Sequence, residues 1–333
     1  MSNSSLTLLN IFNTLQLPDK KSTVLQLTAH EFLDRGSDFI AKDPEGQPAI
    51  LIAVKDPITS TRSSPITLEH LVVDYGLECK LNRADGIVHH GIFTVIRCVN
   101  SDRVLQEYFI RSMIPVVQSL PSTPTYRDIS RAINSLVELF RQLSMPGRKS
   151  IQGLWAELFI IASAHCPRIL IEAWHSRPED LYDFNSGTER LEVKSSAGVA
   201  RLHFFSFEQL HPPNDTTLLV ASLFVVEASN GKSVFDLIDN IRDRLVNEFN
   251  TAQRIDLIVS ATLGNSWRRA IDLKFDCELA ASSLVYYLSS SIPSIRGPLP
   301  LGVSHVHFQA DLSFVKPVTL HEIMDKGTLI SAL

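Results

Sequence analysis

The sequence predicts a mixed α/β fold, on three observations. Short apolar, β-branched runs appear before residue 120, two amphipathic helical patterns follow, and a series of strand-like runs then leads into a further helix. Ala49–Val54 (AILIAV) and Ile92–Val99 (IFTVIRCV) are the clearest early strands, each bounded by turn residues. His89-His90 beside Gly91 reads as a turn. Tyr126–Leu143 carries Ile129, Ala132, Ile133, Leu136, Leu139, Phe140 and Leu143 at three- and four-residue intervals, which predicts an amphipathic helix. A second helix opens at Ile151 with a stripe of Ile151, Leu154, Trp155, Leu158 and Ala162. Strands are then expected at Leu181–Phe184, Arg190–Ser195, Leu202–Phe207 and Leu218–Val226, followed by a helix over Val234–Phe249.

Proline- and glycine-rich punctuation at 56–65, 120–125, 145–149, 211–215 and 293–302 marks turns or boundaries. The expected organisation is a strand-rich N-terminal domain over 1–120, a connecting helix over 121–148, an α/β core over 149–265, and an extension over 266–333 that packs on the core. No repeat of fixed period is present, which removes solenoid architectures.

Composition excludes several classes. Of 333 residues, 44% are hydrophobic and 20% charged, too apolar a mixture for wholesale disorder. The most apolar stretch, Leu218–Val226, is far shorter than the roughly 20 residues that span a bilayer. Cys79, Cys98, Cys166 and Cys277 form no C-x-x-C, so buried thiols in a reducing cytoplasm are expected rather than a zinc site. The net charge of -5 gives no global reason for a polyanionic partner. For a DNA substrate, Arg141, Arg148, Lys149, Lys194, Arg201, Arg268, Arg269 and Lys274 would have to gather along one cleft. No phosphate-binding glycine loop and no serine nucleophile elbow is present.

The chemistry-bearing candidates start from the spacing acid-x-Lys, which places a carboxylate and an ammonium on one face of a strand. Four tripeptides match, at Asp19, Glu78, Glu192 and Asp272, so the spacing alone is compatible with a solvated strand face. Context favours Glu192. Leu191 and Val193 alternate with Glu192 and Lys194, giving one apolar and one charged face. Nine residues upstream, Asp183 lies in the run Leu181-Tyr182-Asp183-Phe184, where a lone carboxylate is costly to bury. A hairpin would bring the two acids together, and paired carboxylates suit a hard divalent ion such as Mg²⁺. Glu157 interrupts an apolar helical stripe four residues after Gly153 and offers a third carboxylate.

Helix, strand, strand with G-x-x-x-E, then D, then E-x-K is the pattern of the PD-(D/E)XK phosphodiesterase fold. Gly153–Leu158, Ala173–His175, Asp183-Phe184, Leu191–Ser196, Arg201–Phe204 and Gln209-Leu210 resemble a bacterial family of PD-(D/E)XK proteins, and Leu299–Val303 with Asp311–Ser313 extends the similarity over most of the chain. Ala156 stands where a second glycine is common, and no proline precedes Asp183. The resemblance implies an α/β (α+β) fold with a restriction-endonuclease-like mixed sheet flanked by helices. It also implies a cytoplasmic, Mg²⁺-dependent DNA endonuclease of restriction or phage-defence type, with Mn²⁺ able to substitute. The alternative is a non-cleaving DNA-binding or scaffold subunit of a defence complex. Implied partners are DNA, a second copy in a homodimer, or other defence subunits, and no membrane.

The resemblance carries the catalytic roles to Glu157, Asp183, Glu192 and Lys194. Asp183, Glu192 and the Val193 carbonyl would hold the metal, while Glu157 would hold a second ion or a water, or position Lys194. Arg201, His203 and Gln209 would line the substrate site; a surface pair beside a turn is the plainer account of the first two. The rival set within the sequence is Asp256 with Asp272-Leu273-Lys274, and Trp267 with Arg268 and Arg269 could stack on and pair with nucleic acid.

Overall fold

The computed structural model describes residues 3–18, 25–32, 35–55, 57–58, 61–83, 86–145, 147, 149–175, 177, 180–198, 200–245, 248–323 and 327–333; the side chains of residues 3–6 and 249 lie outside that description, as does Arg148. The chain divides into two compact units, Met1–Met145 and Pro146–Leu333. The helix over 126–142 falls in the first unit and residues 266–333 in the second.

The first unit contains α1 (Asn3–Thr14), β1 (Leu25–Phe32), β2 (Arg35–Lys42), β3 (Pro48–Ala53), β4 (Ile66–Thr67), β5 (Leu71–Arg83), β6 (Val88–Cys98), α2 (Arg103–Gln118) and α3 (Tyr126–Gln142). Its sheet closes on itself. The pairings β1–β2, β2–β3, β3–β6 and β6–β5 are antiparallel, and β5 returns to β1 in parallel. Each of these five strands sends two residues two positions apart into one cluster: Leu27 and Ala29, Phe39 and Ala41, Ala49 and Leu51, Cys79 and Leu81, Phe93 and Val95. That is the interior of a five-stranded barrel, and alanine at three positions suits so narrow a circle. The other face is buried too, through Ile40, Ile50, Ile52 and Ile96, with α1 and α2 lying against β2 and β3. Burial on both faces explains why Ala49–Val54 reads as an unbroken apolar run.

One local expectation fails in this unit. His89 and His90 lie within β6 rather than in a turn, because the strand extends outward past its buried part and leaves both imidazoles exposed. The region before residue 120 also contains α2, nine of whose side chains are buried, so that it lacks a polar stripe strong enough to announce a helix.

The second unit contains α4 (Ile151–Ser163), α5 (Pro167–Ala173), β7 (Phe184–Ser186), β8 (Glu189–Ser196), β9 (Leu202–Ser206), β10 (Thr217–Phe224), β11 (Glu227–Lys232), α6 (Val234–Arg244), α7 (Phe249–Leu263), α8 (Trp267–Asp272), α9 (Cys277–Ser283), β12 (Val285–Leu288), β13 (His307–Asp311) and α10 (Thr328–Ala332). Its mixed sheet runs β12-β10-β8-β7, with β8 and β10 parallel and both outer pairings antiparallel. β9 and β13 form a separate antiparallel ribbon. Helix α4 lies against β8, and α6 against α4. Ser150 caps α4 by accepting the Gly153 N–H at 3.1 Å.

The helix expected over 234–249 is instead two helices. The backbone leaves helical geometry at Leu245 (φ −101°, ψ 45°) and α7 starts at Phe249. Cys79 and Cys98 are buried, whereas Cys166 and Cys277 are only partly so, and all four are free thiols. Among the described residues no helix is long and apolar enough to cross a membrane.

Candidate active site

The second unit gathers three carboxylates and two lysines where α4, β7 and β8 meet. Glu157 lies on α4 among Leu154, Trp155, Leu158 and Ile161, all buried. Its own exposure is 3%, so it belongs to the interior rather than to the helix rim. Both its oxygens are engaged: Oε2 accepts the Trp174 indole N–H at 2.7 Å, and Oε1 accepts from Lys149 Nζ at 2.8 Å. His175 Nε2 lies 3.3 Å from Oε2 but is not aligned to hydrogen-bond it.

Asp183 immediately precedes β7. The expected strand over 181–184 is displaced, since Leu181–Asp183 bend and pairing begins only at Phe184 opposite Leu191. Side chains take over the backbone groups there. Asp183 Oδ2 accepts the Val193 N–H at 2.8 Å, and the Tyr182 carbonyl accepts from Asn185 Nδ2 at 3.0 Å. Asp183 Oδ1 accepts from Lys149 Nζ at 2.7 Å.

Glu192 faces the same cluster from β8. Its Oε1 lies 2.6 Å from Lys194 Nζ and accepts from Gln209 Nε2 at 2.8 Å. Gln209 orients both residues, because its Oε1 accepts from Lys194 Nζ at 3.4 Å and from the Ser206 N–H at 3.1 Å. Lys194 also lies over the Phe205 ring, 4.9 Å from its centroid. The second Glu192 oxygen, Oε2, is buried with no hydrogen-bond partner.

The electrostatics are strained by design of the site, with three buried acids in one place. Burial, then the neighbouring Glu157 and Glu192 charges, push the Asp183 carboxyl well above the ordinary carboxylate range, and Lys149 only partly offsets them. Burial also acts to raise Glu157, but His175 and Lys149 outweigh it and hold that carboxyl below its ordinary value. Burial acts to lower Lys149, yet Asp183 and Glu157 together raise it.

The donor set fits a divalent cation. Ligand atoms of Glu157, His175 and Asp183 all lie within 4.8 Å of one another, and the unpartnered buried Glu192 oxygen is an acceptor awaiting a positive group. Carboxylate oxygens suit Mg²⁺, and an added imidazole also suits a softer ion such as Mn²⁺.

A family model described as "Putative PD-(D/E)XK family member, (DUF4420)" matches residues 8–313. The chain belongs to this family. No curated protein and no solved structure matches it. The mixed α+β architecture expected of a PD-(D/E)XK protein is the one observed.

In this PD-(D/E)XK chain the residues expected to line a substrate site go different ways. Gln209 reaches Glu192 and Lys194. Arg201 instead donates to the Ser222 carbonyl at 2.8 Å, to Ser222 Oγ at 2.7 Å and to the Ser283 carbonyl, and His203 Nε2 lies 2.8 Å from Ser222 Oγ. Burial, then Lys194 and Arg201, push His203 down to about 4, so it is neutral at pH 7. A Cβ added at Gly153 would meet only Ser150 Oγ, at 3.1 Å. In the rival set Asp256 lies on helix α7, paired with Arg242, and Trp267 is buried, so that indole offers no stacking platform. Lys149, Trp174 and His175 are the members of the cluster to which the sequence assigned no role there. The signal for Lys149 was faint: a lysine eight residues before an acid buried in an apolar stripe.

Proposed function

We propose that this chain is a Mg²⁺-dependent endonuclease that hydrolyses phosphodiester bonds of DNA, of restriction or phage-defence type. The observation that supports the reading is that Glu157 and Asp183 meet in one buried group, while Glu192 pairs with Lys194 on β8 and keeps one oxygen unpartnered, in a PD-(D/E)XK family member. A retired site has no physical reason to keep three acids in apolar surroundings.

In this reading Asp183, Glu192 and the Val193 carbonyl hold the ion, with Glu157 as a further ligand. When bound, such an ion neutralises charge on the phosphate and supplies a water of lowered pKa. The water oxygen forms a bond to phosphorus as one ester P–O bond breaks, and the water proton passes through solvent to the leaving oxygen. Lys194 stabilises the negative charge that grows on the phosphate oxygens, and Gln209 keeps that ammonium and Glu192 in register. Trp174 fixes the Glu157 carboxylate so that little reorganisation is needed. Cleavage of both strands of a duplex calls for two such sites, which a two-fold homodimer in the cytoplasm would supply.

Plasmid nicking tests this. With Mg²⁺ or Mn²⁺ the wild-type protein is expected to nick, EDTA to stop it, and Lys194→Ala and Asp183→Ala each to lower the rate by about 100-fold or more. Equal background from all three proteins would sink DNA cleavage by the isolated chain and turn attention to the non-cleaving subunit.

A further inference from the structure

Lys149 has no task in the reaction just described, yet its ammonium lies between two of the carboxylates assigned to the ion. Nζ is 2.8 Å from Glu157 Oε1 and 2.7 Å from Asp183 Oδ1. A magnesium ion held by those oxygens would stand about 2.0–2.1 Å from each, inside the space that the ammonium fills. Two cations cannot share it.

The remaining bonds show which partner gives way. Glu157 Oε2 is held by the buried Trp174 indole, and Asp183 Oδ2 by the Val193 main chain, so all four oxygens of these two acids are already engaged. The indole and the backbone are fixed in the fold. Lys149 is not: it precedes the capping residue of α4, and its side chain is 36% exposed, against 4% and 8% for the two acids it bridges. Lys194 differs, since it engages one oxygen of Glu192 and leaves Oε2 open.

We propose that Lys149 is a tethered counter-cation that occupies the divalent-ion site of the metal-free protein and swings out to solvent when an ion binds. The inference rests on the metal-site reading above. It makes the ion compete with a charge supplied by the chain itself. The resting cluster is thereby kept partly neutralised, and a second ammonium is released beside an anionic substrate only once the ion is in place.

Calorimetric titration of the metal-free protein with Mn²⁺ tests it. Lys149→Met is expected to bind Mn²⁺ about tenfold more tightly than wild type, equivalent to about 1.4 kcal/mol, while Lys149→Arg binds no more tightly than wild type. Asp183→Asn serves to separate the two claims. If it abolishes binding while Lys149→Met leaves the affinity unchanged or weaker, the metal site stands and the counter-cation falls. If Asp183→Asn binds as wild type does, or if neither wild type nor Lys149→Met binds at all, both fall. Should Lys149→Met fail to fold, amine labelling of the wild-type protein followed by mass spectrometry decides. Saturating Mg²⁺ should raise labelling of Lys149 severalfold relative to the exposed Lys316, and an unchanged ratio overturns the proposal.

Discussion

The barrel interior of the first unit and the carboxylate cluster of the second bury very different things. The barrel interior of the first is built from ten apolar side chains, two from each strand, and every one contributes to stability by leaving water. Where α4, β7 and β8 meet in the second unit, Glu157, Asp183 and Glu192 are buried nearly as deeply as those apolar residues, at 3%, 6% and 5% exposure. Burial of that second kind costs free energy unless each charge is matched. The contrast separates two uses of burial: in the barrel the residues serve the fold, whereas at the carboxylate cluster the fold holds residues that work against it.

The largest expected effect falls on the barrel. Phe93→Ala removes a buried ring that meets Phe39 edge-on and should cost about 3–5 kcal/mol in chemical denaturation, with little dependence on pH. A loss that varied strongly with pH would blur the contrast.

Next comes His203, whose folded-state pKa near 4 lies below its ordinary value of 6.5. The unfolded chain therefore binds the proton first as pH falls. The stability contributed by the neutral ring is fully present above pH 6.5 and is lost as pH falls from 6.5 through 4, by about 3 kcal/mol in all. His203→Gln should flatten that part of the stability curve, and an unchanged acid limb would remove His203 as its cause.

Asp183 should show a pH dependence that Phe93 does not. Its folded carboxyl keeps its proton to higher pH than the unfolded chain does, so metal-free stability falls as pH rises above about 3.8, until the folded group has ionised. Glu157 runs the other way, with a contribution present above its ordinary value and lost as pH falls. Asp183→Asn is thus expected to remove the fall in metal-free stability above about pH 3.8, although its amide also turns a donor toward Lys149 or the Val193 N–H and lowers stability at every pH. Thermal melting across pH checks this, and an unchanged slope would remove Asp183 as its cause. The smallest effect is reserved for the exposed pair Arg141–Glu138, at 2.6 Å, where Arg141→Ala should change stability by less than about 1 kcal/mol.

Periodicity made the elements legible where one face was apolar, as in α3 and β8. It was blind where both faces were buried or where a turn was replaced by an extended strand, as in α2 and at His89-His90. The carboxylates were readable because charge is conspicuous inside an apolar run. Their partners were not, since Lys149 and Trp174 reach the cluster across distances that no local spacing encodes, eight and seventeen residues from Glu157. Arg201 and His203 matched an expected pattern but turn to Ser222, a contact created only when β9 comes to lie near β10.

The closure of the barrel also limits how the first unit can meet other molecules. One side of β5 is taken by β6. The other is taken by β1 over Cys79–Arg83 and by the short β4 over Val72-Val73. Among the described residues the circle therefore offers no continuous free edge for an added strand, which disfavours β-augmentation and edge-to-edge aggregation at those strands. Whatever docks on the barrel strands must read side chains, and surface substitutions rather than backbone-blocking ones are the way to find it.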